Sequence, residues 1–260
     1  MANPTASEIT VAGCRINVLR AGQGAPVLYL HGAGGLEWFP GLTDLSARYE
    51  IIAPEHPGFG KSEMPDWLDT MGDLSFFYLD VLDALNLHDV HVMGHSMGGW
   101  LAAEMAIRNT LRIKSLTLIA AAGLRVDGAE VGDFFMWPPE QIIRNLYLDQ
   151  RHADEILATP PSEAELAVRL RNFATCAQLA WKPRLHNPHL VKWLHRIDVP
   201  TLILWGDSDK IIPAAHGDAY KRHIAGARLQ IFPRCGHIPM VEARAGATAA
   251  ITQFLSETAP

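Results

Sequence analysis

Segments with the pattern of buried β-strands alternate with longer amphipathic segments along the chain of 260 residues. The strand patterns cover residues 26–30, 50–53, 90–93, 114–121, 201–205 and 228–232. A helical pattern at 73–87 places its apolar side chains on one face. Such alternation is typical of a mostly parallel sheet with helices on both faces, and residues 8–19 add a hairpin that turns at Ala12-Gly13. The sequence therefore predicts an α/β fold.

One long segment, residues 124–196, lacks any convincing strand pattern. Its helical patterns lie around Phe134, at 141–148 and at 163–179. Prolines interrupt these patterns and limit the length of each helix. We interpret the segment as a helical cap inserted into a single domain, whose core consists of residues 1–123 and 197–260.

Charge and cysteine usage argue against several classes of protein. The chain has 22 Lys and Arg against 28 Asp and Glu, so its formal net charge is −6, and it has no basic run to bind a phosphate backbone. The three cysteines, Cys14, Cys176 and Cys235, form no CxxC pair. The first residues lack the pattern of a signal peptide, and no apolar run reaches about 18 residues. We expect a cytoplasmic protein that binds neither nucleic acid nor a membrane.

The most informative motif is Gly94-His95-Ser96-Met97-Gly98, which matches G-x-S-x-G where a strand pattern changes to a helix pattern. A serine on so tight a turn needs glycine two positions before and after it, because larger side chains would collide. The turn would expose the hydroxyl of Ser96 and point the backbone N–H of Met97 at a developing oxyanion. Ser96 is therefore the predicted nucleophile, and it requires a histidine base and a carboxylate elsewhere.

Two loops late in the chain supply the base and the acid that a serine nucleophile requires. Asp209 follows the strand pattern at 201–205, and His237 follows the one at 228–232. Loops after parallel strands gather at one edge of the sheet, where open α/β sheets form their sites. His237 would accept the serine proton, while Asp209 would fix the imidazole tautomer. Asp207 is an alternative carboxylate.

The glycine-rich segment HGAGG, residues 31–35, directly follows the first of the buried strand patterns. Because most of this segment lacks Cβ atoms, its backbone N–H groups can approach a substrate carbonyl closely. We predict that the N–H of Ala33, with that of Gly34 as second choice, completes an oxyanion hole with the N–H of Met97.

Together these motifs resemble the α/β-hydrolase fold superfamily. HGAGG, GHSMGG, WGDSDKIIP and the final GH stand at fitting positions over nearly the whole chain. A further turn, EHPGFGKS at 55–62, is similar to the family pattern D-x-P-G-x-G-x-S, with Glu55 in place of Asp. The resemblance implies a mostly parallel eight-stranded sheet, a helical cap after the sixth strand and a triad in the order Ser96, Asp209, His237. It also assigns the family's acid, the fourth residue of G-x-x-D, to Asp209.

The nucleophile narrows the reaction that the resemblance implies. Haloalkane dehalogenases and epoxide hydrolases of this fold use aspartate where this chain has Ser96. C–C bond hydrolases share the serine, but their usual Asn before it and Trp after the histidine correspond here to His95 and Ile238. The resemblance therefore implies a serine carboxylesterase-like enzyme that cleaves a small or medium apolar ester or lactone through an acyl-enzyme. A C–C hydrolase, an acyltransferase and a small-molecule receptor that retains the triad are the alternatives.

The substrate pocket and the cofactor requirement complete the predicted site. Trp100, Phe135 and Trp137 are predicted to line the pocket, because Trp100 begins the helix after the nucleophile and the other two lie where the cap meets the sheet. Three histidines, His88, His91 and His95, lie close together in the sequence. They belong to a loop, a strand pattern and the nucleophile turn, so their side chains would not share one helical face, which argues against a metal site. We expect a small ester-like molecule as the substrate and no metal or organic cofactor.

Overall fold

The computed structural model describes residues 3–258 and contains, within them, one eight-stranded sheet. Its strands are β1 (Thr5–Val11), β2 (Cys14–Ala21), β3 (Pro26–Leu30), β4 (Glu50–Pro54), β5 (Val90–His95), β6 (Ile113–Ile119), β7 (Thr201–Gly206) and β8 (Arg228–Phe232). The strand order is β1-β2-β4-β3-β5-β6-β7-β8. β2 is antiparallel to β1 and β4, and the other neighbours are parallel. The predicted α/β fold with a mostly parallel eight-stranded sheet is confirmed.

The helices, in chain order, are α1 (Pro40–Leu45), α2 (Met71–Ala84), α3 (Met97–Arg108), α4 (Pro139–Leu146), α5 (Gln150–Leu157), α6 (Glu163–Ala180), α7 (Ala215–His223), α8 (Pro239–Glu242) and α9 (Arg244–Glu257), with a 3-10 helix at Leu190–Arg196. Among the helices of residues 3–258, none combines the length and the apolar character needed to cross a membrane.

Two hydrophobic cores cover the two faces of the sheet. Leu28 and Leu30 of β3 belong to the core that contains side chains of α2, α3 and α7. Val27 and Tyr29 belong to the core that contains side chains of α1 and α9. This division follows from the alternation of side chains along a strand. All six residues of β5 are buried, as expected for a strand that is covered on both faces.

Capping side chains set the start of α2, which lies two residues before the predicted one. Thr70 Oγ1 accepts the backbone N–H of Asp73 at 3.1 Å, and Asp73 Oδ2 accepts the N–H of Thr70 at 3.0 Å. This capping box satisfies two N–H groups that have no partner within a helix, so the helix begins at Met71. The periodicity of apolar residues alone does not predict such a cap.

Three helices and the 3-10 helix lie in the segment 124–196, between β6 and β7. The helical pattern around Phe134 is wrong, because the chain forms a turn there. The N–H groups of Met136 and Trp137 donate to Asp133 O at 2.9 and 3.0 Å. Pro138, which has no N–H, ends this turn, and α4 begins immediately after it.

Candidate active site

Ser96 lies on a sharp turn between β5 and α3. β5 ends at His95 and α3 begins at Met97, so Ser96 alone connects strand and helix, with φ 56° and ψ −117°. A non-glycine residue with this positive φ is strained, and it persists only where the surroundings fix the turn. A Cβ atom on Gly94 would collide with the backbone of Gly98. A Cβ atom on Gly98 would collide with the backbone oxygen of Leu30. These two close approaches explain why the motif needs glycine at both positions.

A hydrogen bond joins His237 to Asp209. His237 Nδ1 donates to Asp209 Oδ2 at 2.7 Å, and both residues are buried. The other carboxylate oxygen, Oδ1, accepts the backbone N–H groups of Ile211 and Ile212 at 2.8 and 2.9 Å. Because Nδ1 carries the proton in this arrangement, Nε2 has a lone pair that can accept one. Asp209, rather than the alternative Asp207, is the carboxylate that contacts this imidazole.

Ser96 and His237 line the same cavity, which has a volume of about 80 Å³. Within residues 3–258, no hydrogen bond joins their side chains, and such contacts often tighten only in the complex with substrate. Two hydrogen bonds hold the backbone of His237: its N–H donates to Leu146 O at 2.8 Å, and its carbonyl accepts from His95 Nε2 at 3.0 Å. The structure therefore brings the three predicted catalytic residues to one site.

His95 supports the loop that carries His237, a role that the sequence analysis missed. A carbonyl oxygen can only accept, so His95 must carry a proton on Nε2 to bond the carbonyl of His237. Burial, followed by the charge of His237, lowers the pKa of His95 to about 3. The ring is therefore a neutral donor at neutral pH. It occupies a variable position of G-x-S-x-G, so the motif carries no signal for this role.

Hydrogen bonds hold the peptide that carries the predicted oxyanion donor, the N–H of Ala33. The carbonyl oxygen of Gly32 accepts from His31 Nδ1 at 2.7 Å and from the N–H of Gly35 at 3.2 Å. Because this carbonyl and the N–H of Ala33 belong to one planar peptide, the two hydrogen bonds also fix the direction of that N–H. Ala33 and Met97 both line the cavity. The two predicted donors thus belong to the same site.

A second histidine sets the position of the proton on His31. The backbone N–H of His56 donates to His31 Nε2 at 2.9 Å, so the proton of a neutral His31 is on Nδ1. His56 Nε2 donates in return to the carbonyl of His31 at 3.0 Å. Burial lowers the pKa of His31 to about 4, and burial, followed by the charge of His31, lowers the pKa of His56. Both rings are neutral at neutral pH, and the sequence analysis assigned neither of them this role.

Helix α6 connects the oxyanion loop with the turn at 55–62. Asn172 is buried, its Nδ2 donates to Gly34 O at 2.8 Å, and its Oδ1 accepts the N–H of Gly60 at 2.8 Å. The neighbouring Arg171 donates to three carbonyl oxygens of the same turn. The segment that we interpret as a cap therefore supports the backbone beside Ala33. No periodic pattern singles out a lone polar residue such as Asn172.

Glu55, which stands where the family pattern has aspartate, closes the turn at 55–62. Its Oε2 accepts the backbone N–H groups of Lys61 and Ser62 at 2.7 and 3.2 Å. Ser62 Oγ donates to the carbonyl of Glu55 at 2.9 Å. A buried carboxylate is stable when N–H groups satisfy it, so the longer side chain is accommodated within the turn.

The cavity is lined by residues other than those predicted for the substrate pocket. Its apolar wall includes Phe39, Phe134, Leu146, Leu185, Ile211 and Ile238. Trp100 lies instead in the core, with its Nε1 donating to Glu104 at 2.9 Å. Phe135 packs against Phe173, and Trp137 packs over Gly132. The predicted pocket is corrected accordingly: Phe134, on the turn before these two residues, is the aromatic side chain of this segment that reaches the cavity.

Metal-ligating and thiol groups do not form a second site in the described part of the chain. Within residues 3–258, no group of three or more His, Cys, Asp or Glu side chains is arranged to hold a metal ion. The three cysteines of this range are buried thiols without a disulfide. Burial raises the pKa of Cys176 and Cys235 to about 12, so neither is a thiolate at neutral pH.

We expect acid to destabilise the fold, because several buried histidines are neutral. Burial lowers the pKa of His31 and of His91 to about 4, whereas an unfolded histidine titrates near about 6.5. Between these values the unfolded chain binds more protons than the folded chain. The free energy of unfolding should therefore fall with decreasing pH, by up to about 1.4 kcal/mol per pH unit for each such histidine. Urea unfolding at several pH values between about 7 and about 5 measures this slope.

Two variants separate this effect from a general acid effect. His91 is buried on β5 and lies outside the cavity wall, so His91→Gln should reduce the slope by the contribution of one histidine. His223, exposed on α7, is the matched control, and His223→Gln should leave the slope unchanged. Equal slopes for the native protein and both variants would contradict the assignment.

Comparison with known proteins places this chain in a family. Residues 27–251 match the alpha/beta hydrolase family. The 2-hydroxymuconate semialdehyde hydrolase of Pseudomonas sp. (strain CF600) is 28% identical over 96% of this chain and 93% of its own length. Lipase 3 of Moraxella sp. (strain TA144) is 27% identical over 85% of this chain and 74% of its own length. The chain also shares its fold with a solved structure, that of 2-hydroxy-6-oxo-6-phenylhexa-2,4-dienoate hydrolase from Rhodococcus sp. strain RHA1. The TM-score is 0.80 and the sequence identity 19%, and the match covers 98% of this chain and 100% of that chain. The chain is therefore an enzyme of the alpha/beta hydrolase family.

Proposed function

We propose that the enzyme hydrolyses small, mainly apolar carboxylic esters or lactones, with Ser96 as the nucleophile. The observation that carries this proposal is the 2.7 Å hydrogen bond between His237 Nδ1 and Asp209. It leaves Nε2 as a base in the wall of the cavity that Ser96 also lines. The apolar side chains around the cavity exclude water from the reacting carbonyl and favour an apolar acyl group.

In the first step, Ser96 Oγ forms a bond with the carbonyl carbon of the ester, and its proton passes to His237 Nε2. The carbonyl oxygen becomes negative and accepts hydrogen bonds from the N–H groups of Ala33 and Met97. The carboxylate of Asp209 stabilises the imidazolium that forms. The bond to the alcohol then breaks, and His237 returns its proton to the leaving oxygen, so that an acyl-enzyme and a free alcohol result.

In the second step, water attacks the acyl-enzyme, and His237 Nε2 takes the proton of that water. The same two backbone N–H groups hold the new oxyanion. When the bond to Ser96 Oγ breaks, His237 protonates the serine, and the carboxylic acid leaves. The small cavity, about 80 Å³ in volume, favours short acyl groups over long chains.

C–C bond hydrolysis is the second candidate function. The names of two similar proteins support it, because one is a 2-hydroxymuconate semialdehyde hydrolase and the other a 2-hydroxy-6-oxo-6-phenylhexa-2,4-dienoate hydrolase. A dienoate carries a carboxylate, however, and the cavity wall within residues 3–258 contains no Lys or Arg to bind one. This charge argument makes ester hydrolysis the stronger proposal.

We expect the enzyme to turn over 4-nitrophenyl acetate or butyrate with a kcat/KM at least about 100-fold higher than for 2-hydroxy-6-oxo-6-phenylhexa-2,4-dienoate. Steady-state kinetics with both substrates measure this ratio. A fluorophosphonate should label Ser96, and peptide mapping identifies the labelled residue. Faster cleavage of the dienoate would establish the second candidate instead. Products formed with an added alcohol or thiol would reveal an acyltransferase, and binding without sustained turnover would indicate a receptor.

A further inference from the structure

Glu37 is the acidic side chain in the wall of the active-site cavity. Over residues 3–258, the wall contains no Lys or Arg, and no hydrogen bond or salt bridge satisfies the carboxylate of Glu37. Its side chain is also exposed to solvent, so it lies where the cavity opens. Most of the remaining wall is apolar, as Phe134, Leu146 and Ile211 illustrate. A charged group of a substrate that enters this cavity therefore meets the field of Glu37, which no Lys or Arg of the wall offsets.

Protein groups do not offset the charge of this carboxylate. Desolvation by the surrounding atoms raises the pKa of Glu37, whereas a cationic neighbour would lower it. Its charge also adds to the effect of burial in raising the pKa of Tyr29 and of Tyr147. The field of the carboxylate thus reaches the protein around the cavity. A partly desolvated charge without a partner is unfavourable, and a cation bound beside it would recover part of this free energy.

We propose that Glu37 makes the enzyme select esters that carry an amino or ammonium group near the scissile bond, and disfavour esters that carry a carboxylate. This inference rests on the proposed esterase function and adds the charge class of the substrate. A unit charge within about 6 Å of the carboxylate, at the effective dielectric of a partly exposed site, changes kcat/KM by about tenfold in either direction.

The test uses three acetate esters of similar length that differ in charge. Acetylcholine is cationic, 3,3-dimethylbutyl acetate has the same shape with carbon in place of nitrogen, and 4-acetoxybutanoate is anionic. We expect kcat/KM to fall about tenfold from the first to the second and again from the second to the third. Acetate release at neutral pH measures all three rates. The preference should shrink at high salt, because charges near solvent are screened.

Glu37→Gln keeps the size of the side chain and removes its charge. It should bring the three values of kcat/KM within about twofold of each other. The matched control is Glu130→Gln, which removes an exposed acidic side chain that lines a different groove. This control should keep the native preference. An equal preference in the native protein and in Glu37→Gln would overturn the proposal.

A second measurement separates this proposal from the proposed function. The rate at which Ser96 is labelled can be compared for two organophosphonates, one with a trimethylammonium group and one with a tert-butyl group in its place. The cationic reagent should react about tenfold faster with the native protein and equally fast with Glu37→Gln. Equal rates with the native protein would overturn the charge selection while leaving Ser96 as a nucleophile. Failure of both reagents to label Ser96 would overturn the proposed function and the charge selection together.

Discussion

Ser96→Ala is expected to reduce kcat for 4-nitrophenyl butyrate by at least about 1,000-fold. The variant keeps the cavity and both backbone donors, but it has no hydroxyl to form the acyl-enzyme. When one member of a serine triad is lost, only the oxyanion hole and substrate binding still accelerate the reaction. The residual rate is therefore far below the native rate. Fluorophosphonate labelling should disappear together with turnover, and both are measured on the same preparation.

The matched control for this variant is Ser208→Ala. Ser208 lies in the loop that carries Asp209, where its Oγ donates to Asp207 Oδ1 at 2.7 Å, and this pair is exposed to solvent. Its removal should change kcat by less than about twofold, because exposed hydrogen bonds contribute little. Thermal unfolding should give similar Tm values for both variants, since alanine retains the Cβ that the turn at Ser96 already accommodates. Native turnover by Ser96→Ala would refute the nucleophile assignment.

The sheet could be predicted from the sequence because each buried strand is recognisable from its own residues. β3 and β8 begin and end at the predicted positions, and β7 exceeds the prediction by one residue, Gly206. The turn around Phe134 could not be predicted in this way. Its four apolar residues, 134–137, are consecutive, and the two hydrogen bonds to Asp133 O and the following proline determine its conformation. Apolar periodicity does not distinguish a turn from a short helix.

The predicted catalytic residues come together because their motifs are local and the ends of parallel strands converge. The supporting residues depend on contacts between distant segments. His31 and His56 are 25 positions apart, and Asn172 is 138 positions from its partner Gly34. The residues of one segment alone do not predict which distant residue will form a hydrogen bond with it. A single sequence therefore predicts a set of reacting groups, but it does not predict which groups hold the oxyanion loop in place.

The pocket prediction failed for Trp100 because closeness along the chain does not determine the face of a helix. Every residue from Met97 to Ile107 in α3 is buried. Trp100, four positions after Ser96, lies one helical turn further along α3, and its indole points toward Glu104 and the core. Met97, adjacent to Ser96, lines the cavity instead. Side chains that follow a nucleophile motif need a packing argument before they are assigned to a pocket.

Asp209→Asn is expected to reduce kcat by about 10,000-fold with little change in KM. Asp209 Oδ1 accepts two backbone N–H groups, from Ile211 and Ile212, so an asparagine must place its amide oxygen there. The amide NH₂ then faces His237 Nδ1 and donates to it. This forces the proton of a neutral His237 onto Nε2, where it can no longer accept the proton of Ser96. Steady-state kinetics near neutral pH measure the loss.

Asp207→Asn is the matched control, because the two carboxylates lie two positions apart in one loop. Asp207 Oδ1 accepts from Ser208 Oγ at 2.7 Å and from the N–H of Cys235 at 3.4 Å, and an amide oxygen can accept both. This variant removes the same charge from the loop without touching the tautomer of His237, so kcat should stay within about twofold of the native value. Comparing the two variants separates the effect of the His237 tautomer from the effect of the lost carboxylate charge. Equal losses would mean that charge in this loop, and not the hydrogen bond to His237, supports the reaction.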